Sequence, residues 1–269
     1  MVLAMRWLLI LLTLALASPA LAERPDPPRF TAADYGLTAG LGGIALVSDL
    51  LGPPEVSRWR GGVIMDEGMR DSLRLSSSKS RALAADISDG MVLALQGFVL
   101  SDAAVMAGDA SDSGYRVLMV DLQSYAASAA LISLAKSLVG RERPFVRDCV
   151  GDDVRCNTRE THKSFLSGHT AMAFTAAGLV CVHHHELALY GGGVGDSVAC
   201  GVALGVASTT AILRMMADKH YATDVVAGLA VGTFAGFVLP YLLHYGDGDY
   251  DARSGDASAF PWLSAGGTF

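Results

Sequence analysis

Charge is scarce in this chain. Only 17% of its 269 residues are Asp, Glu, Lys or Arg, while 51% are hydrophobic; an average globular domain carries about 25% charged residues. Basic residues are outnumbered by acidic ones, 20 against 27, for a formal net charge of −7. That balance excludes nucleic acid as a partner, because neutralising a phosphate backbone needs a basic surface. Alternating apolar–polar strand patterns, internal repeats and low-complexity tracts are absent, which leaves an all-α fold. Cysteine is limited to four positions, Cys149, Cys156, Cys181 and Cys200, with no CxxC spacing. Zinc-ribbon and thioredoxin-type chemistry therefore have no support.

Long apolar runs are what the chain has in quantity. The first belongs to an export signal. Arg6 gives a short positive region, Trp7 to Ala17 an apolar core, and Ala20-Leu21-Ala22 a small-residue cleavage pattern. A signal peptide over 1–22 is expected, then a Pro-rich linker over 23–33; an uncleaved anchor is the alternative, and either one sends the chain to or through a membrane. Six Ala/Gly/Leu/Val-rich segments follow, at about 35–51, 88–107, 117–139, 168–188, 194–213 and 222–244. Their lengths suit helices, and their small residues allow close helix packing. The expected domain is one helical bundle over 34–245, with a polar C-terminal tail over 246–269. A bilayer span needs about 20 mostly apolar residues. Segments 194–213 and 222–244 meet that; 88–107 and 117–139 carry Asp89, Gln96, Asp102, Asp121, Gln123 and Lys136. Membrane embedding is the expectation, a soluble periplasmic bundle the alternative. Between the first two segments, Ile64, Met65, Met69, Leu73 and Leu75 predict a short amphipathic helix that caps the bundle. An oxidising compartment permits disulfides. Cys149 and Cys156 are close together in a polar loop and form the expected pair; Cys181 and Cys200 either pair or serve as small buried hydrophobes.

Three polar islands interrupt the apolar segments at their ends: Lys136 to Pro144, Lys163 to Thr170 and Arg214 to Asp224. One bundle end can collect all three. Lys136, Arg143 and Arg214 supply cations, and arginine forks match phosphate oxygens. Ser167 is a suitable N-cap, Gly168 lets a ligand approach the backbone, and the free N–H groups of that first turn favour an anion. His220 and Asp224 are four residues apart and share a helix face. A carboxylate there would keep one imidazole nitrogen protonated and leave the other free to attack. His169 is a second imidazole, available as a general acid. Together these residues make up what phosphoryl transfer through a phosphohistidine needs.

In order and internal spacing, Lys136-x6-Arg143-Pro144, Ser167-Gly168-His169 and Arg214-x5-His220-x3-Asp224 resemble the three signature motifs of the type 2 phosphatidic acid phosphatase (PAP2)/vanadium haloperoxidase superfamily. The resemblance covers about 35–243. It implies a helical bundle and a lipid phosphate or pyrophosphate hydrolysed with no metal or other cofactor. It gives His220 the role of nucleophile, Asp224 that of its orienting group and His169 that of leaving-group acid. Lys136, Arg143, Ser167, Gly168 and Arg214 are the implied phosphate ligands. Leu166 and Leu213 depart from the pattern, standing where the motifs usually have Pro and Ser. The same pocket type also holds vanadate, so a vanadate-dependent haloperoxidase is one competing reading; a non-catalytic membrane or binding protein of the same fold is the other.

The remaining charged clusters read as structural. His183-His184-His185-Glu186 is expected to be a polar helix end, because adjacent helical residues point in different directions. Gly191 to Gly195 follows no strand and reads as a loop. Arg141, Arg147, Arg155, Arg159 and Lys163, offset by neighbouring acids, are expected in a solvated loop, and Asp218 and Lys219 in a solvated turn. A chain that starts outside and crosses with all six segments would place Lys136 to Pro144 in the cytoplasm. If 35–51 does not cross, those residues face the exterior or periplasm, the side on which a Cys149–Cys156 disulfide belongs.

Overall fold

Six long helices follow the six apolar segments. The structure is a computed structural model that describes residues 25–149 and 158–246. We number its helices α1 (Ala32–Leu51), α2 (Asp66–Leu73), α3 (Ser78–Asp109), α4 (Ser111–Val139), α5 (Gly168–Leu187), α6 (Val194–Met216) and α7 (Ala222–Thr233). The last continues through wider turns at Phe234–Val238 and Tyr241–Tyr245. Among the described residues no β-strand occurs, so the fold is all-α. The expected signal peptide and nearly all of the expected C-terminal tail lie outside the described residues, as does Cys156 of the expected Cys149–Cys156 pair.

Local chemistry sets the helix ends. Thr31 caps α1 in a reciprocal pair with Asp34, Ser77 caps α3 through the Ser80 N–H, and Gly140 closes α4 in the left-handed conformation. These are the roles those residue types favour at helix termini.

Helix α5 lies at the centre. Ala171, Ala173, Ala176, Ala177, Leu179 and Val180 are each 7% exposed or less, and α5 packs on α3, α4, α6 and α7. Its contact with α7 is close because small residues recur every four positions. A Cβ at Gly228, Gly232 or Gly236 would lie 2.5, 2.3 or 2.3 Å from the carbonyl oxygens of Ser167, Ala171 and Thr175. Only glycine permits that backbone approach. A Cys181–Cys200 disulfide ties α5 to α6.

Helices α3, α4, α6 and α7 with its continuation are long and apolar enough to cross a membrane; α1 and α5 are not among them. Leu93, Leu100, Val198, Val202 and Val226 are more than half exposed, an outer surface suited to lipid.

The short amphipathic helix expected before α3 is α2, though two of the apolar residues named for it precede it. Ile64 and Met65 are exposed, at 89% and 58%, whereas Asp66 is buried. Ion pairs add to the apolar contact by which this stretch caps the bundle, where Leu75 packs beside Ala84, Ala85 and Ala217. Asp66 accepts from the Thr223 N–H at 2.8 Å and from Arg141 at 2.7 Å. Arg70 and Arg74 both donate to Asp218.

Candidate active site

All three polar islands meet at one end of the bundle. Lys136 sits in the last turn of α4, and its Nζ lies 3.0 Å from the point a Cβ on Gly168 would occupy. Gly168 therefore leaves room for an ammonium at the start of α5. Ser167 caps that start, with its Oγ facing the Thr170 N–H at 3.5 Å and the Thr170 hydroxyl at 2.9 Å. The Ser167 N–H donates to the Asp224 carbonyl at 3.0 Å, joining the start of α5 to that of α7.

Arg143 is buried and held by main-chain oxygens. Its Nε donates to the Glu160 carbonyl at 2.8 Å and Nη1 to the Lys219 carbonyl at 3.3 Å. Burial and the charge of Arg214 hold its guanidinium below the usual arginine range, at about 10. Arg214, the last charged residue of α6, donates from Nη1 to Asp89 at 2.8 Å and to Ser88 Oγ at 3.1 Å. Its Nε is buried with no partner on the protein.

His220 lies among these cations. Burial, then the charges of Arg143, Arg214 and Lys136, push its imidazole well below the ordinary range. Nδ1 is 2.8 Å from the carbonyl oxygen of Ser164. A carbonyl only accepts, so Nδ1 carries the proton and Nε2 keeps its lone pair. The sequence pattern places Asp224 in that orienting position. Instead its Oδ2 is 3.9 Å from Nδ1, beyond hydrogen-bond distance. Asp224 acts one residue removed, accepting from Ser164 Oγ at 2.6 Å and from the Tyr221 N–H at 2.9 Å.

Arg141, expected in a solvated loop, is 0% exposed. Its guanidinium carbon sits 4.0 Å from the Trp59 ring centroid and 4.3 Å from that of Tyr221. It donates to Asp224 at 2.5 Å, Asp66 at 2.7 Å, Thr223 at 2.8 Å and the Gly61 carbonyl at 3.0 Å. Two buried carboxylates and two rings make a closed seat for one planar cation. Asp218 is likewise a buried acid, 1% exposed, and not a solvated turn residue. Arg147, Arg159 and Lys163 do keep surface positions, paired with Glu67, Glu55 and Glu160.

His169, the second residue of α5, points Nε2 at Asp89 Oδ1, 2.9 Å away. Burial and the charge of Arg214 lower its pKa to about 4, against the opposing pull of Asp89. Asp89 thus touches both His169 and Arg214. Sequence reasoning missed Asp89, Arg141, Ser164 and Asp66; Arg141 and Ser164 at least lie within polar islands, whereas Asp66 and Asp89 lie far from all three in sequence. Leu213 packs beside Ala84, Ala85 and Ala217. The cluster at His183 does end α5, with His185 exposed, but His183 and His184 are buried.

The helix ends of this all-α bundle gather three cations, a helix N-terminus and two imidazoles, a set of groups suited to an anion. Residues 118–246 match the model of the PAP2 superfamily, the family whose motifs the sequence resembles. The chain is also similar to a lipid A 1-phosphatase of Porphyromonas gingivalis, 30% identical over 126 residues, or 47% of this chain. The matched stretch spans 24% of that relative's length. No solved structure matches.

Proposed function

We propose that this chain is a phosphatase that hydrolyses a lipid phosphate or pyrophosphate through a phosphohistidine at His220, without a metal ion. One observation carries the reading: the Nε2 lone pair of His220 is set by the Ser164 carbonyl, and the charges of Lys136, Arg143 and Arg214 act on the same imidazole. Those cations, with the Gly168 N–H at the start of α5, hold the phosphoryl oxygens. Nε2 attacks phosphorus in line with the leaving oxygen. His169 gives that oxygen a proton and then takes one from the water that opens the phosphohistidine. The match to the PAP2 superfamily model and the similarity to a lipid A 1-phosphatase support the lipid phosphate class, as do the four apolar helices around the site.

The site faces the exterior or periplasm in this reading. In it α1 does not cross and α5 does, enclosed by the four apolar helices, so that α3 and α4 bring a chain that starts outside back to the same side. Phosphate release from a panel of lipid phosphates, wild type against His220→Ala, tests the proposal. Loss of release with the fold intact is expected; full retained activity overturns it. Halide oxidation dependent on added vanadate, without phosphate release, would instead support the haloperoxidase reading.

A further inference from the structure

Phosphate chemistry occupies one end of the bundle and leaves a second polar constellation unexplained towards the other. Its residues lie on the same four helices: Asp102 on α3, Asp121 on α4, His183 and His184 on α5 and Asp196 on α6. All five are buried, none more than 6% exposed. Each of these helices also carries a residue of the phosphate pocket, namely Asp89, Lys136, His169 or Arg214. The two sets are separated by about 20–27 Å of helix at 1.5 Å per residue.

Acid and imidazole alternate along this set. Asp196 Oδ1 is 2.7 Å from His184 Nδ1, and His184 Nε2 is 3.4 Å from Asp102 Oδ1. Asp102 Oδ2 is 3.9 Å from His183 Nδ1, and His183 Nε2 is 3.4 Å from Asp121 Oδ1. Both oxygens of Asp121, both nitrogens of His183, Asp102 Oδ2, His184 Nε2 and the Tyr125 hydroxyl are buried without a hydrogen-bond partner on the protein. Buried polar groups are costly to leave unpaired, and ionisable groups among membrane helices mark ion or proton paths. Among the described residues no three His, Cys, Asp or Glu side chains converge to hold a metal ion. At the outer end Asp196 also accepts from the Tyr190 and Gly192 N–H groups, at 3.0 and 2.8 Å. It borders a cavity of about 450 Å³, lined also by His184, Gly193 and the Cys181–Cys200 disulfide.

We propose that Asp196, His184, Asp102, His183 and Asp121 form a proton relay from that cavity into the bundle core, separate from the phosphate pocket. A proton arriving at Asp196 passes to Nδ1 of His184, whose Nε2 proton moves to Asp102. Asp102 hands a proton to Nδ1 of His183, whose Nε2 proton goes to Asp121. Only N–H and O–H bonds form and break, and one positive charge moves inward. The other titratable groups facing the array are Tyr125, Tyr190, whose ring centroid is 4.5 Å from that of His184, and Tyr245, 6.4 Å from that of His183.

Infrared spectroscopy of the full chain in lipid nanodiscs, titrated from alkaline to acid pH, tests the relay. Wild type is expected to gain a protonated-carboxyl band that disappears in Asp121→Asn and persists in His220→Ala. In His183→Gln, which breaks the chain, that band should stop following bulk pH. An unchanged band in Asp121→Asn, or one that follows pH as before in His183→Gln, overturns the proposal. Should a variant fail to fold, ¹⁵N NMR of the wild-type imidazoles decides: His183 signals that titrate uphold the relay, and signals that do not overturn it.

Discussion

Ser164 presents its carbonyl oxygen to Nδ1 of His220 at 2.8 Å, while its hydroxyl donates to Asp224 at 2.6 Å. The acid of the third polar island therefore reaches the imidazole through a neighbouring residue. Indirect orienting partners typically contribute about 10–100-fold to activity. Asp224→Asn is accordingly expected to lower kcat by about that factor, far less than His220→Ala, which should abolish turnover. Ser164→Ala retains the carbonyl and should cost less than Asp224→Asn. Steady-state kinetics on one lipid phosphate orders the three; an Asp224→Asn loss equal to that of His220→Ala would contradict the indirect arrangement.

Arg141 contacts both Asp66 and Asp224, and all three side chains are fully buried. Removing one partner of such a network leaves uncompensated buried charge, a loss of about 3–5 kcal/mol. Arg141→Ala should therefore lower the unfolding temperature sharply. Arg141→Lys should recover little, because an ammonium cannot fork to two acids while lying flat between Trp59 and Tyr221. Thermal unfolding in detergent measures both; a lysine variant as stable as wild type would show that charge alone suffices.

Asp89 places one carboxylate oxygen against His169 and Arg214. Its charge raises the His169 pKa, while Arg214, Lys136 and Arg143 lower it. A phosphate dianion on those cations offsets their effect, so anion binding should draw a proton onto His169. The sign for Asp89→Asn follows. Removing the carboxylate lowers the His169 pKa, so the alkaline limb of the kcat profile moves to lower pH. Removing a competing anion also tightens vanadate or phosphate inhibition, by up to about fivefold, since a half-exposed ion pair contributes about 1 kcal/mol or less. A pH profile with inhibition constants checks both, and an alkaline limb that stays in place would sink the assignment of His169 as the acid.

The long helices were legible because their apolar runs are long and their breaks coincide with charged islands. The convergence of Lys136, Arg143, His169, Arg214 and His220 was legible because all five sit at segment ends. Burial of charge was not. Arg141 lies in a run of cations that looks solvated, and its partners Asp66 and Asp224 are 75 and 83 residues away. Asp218 looked like a turn residue until Arg70 and Arg74 arrived from α2. His183 and His184 resembled a polar helix end because their acidic neighbours come from three other helices. A local pattern reports which face is apolar, not which distant charge fills a gap in it.

Close backbone contact supplies the last prediction. Gly228 faces the Ser167 carbonyl, and Gly236 faces that of Thr175, two helical turns further from the site. An alanine at either position overpacks the α5–α7 contact, which typically costs about 1–3 kcal/mol. Both variants should therefore unfold at lower temperature. Their effects on turnover should differ. Displacing Ser167 strains its hydrogen bond to the Asp224 carbonyl and, through Asp224 and Ser164, the seat of His220. Displacing Thr175 disturbs only its bonds to Ser128 and Ala171. Gly228→Ala is thus expected to lower kcat as well as stability, and Gly236→Ala stability alone, when activity is measured well below both unfolding temperatures. Equal losses of kcat would mean that helix spacing as a whole, rather than the Ser167–Asp224 link, holds the nucleophile in place.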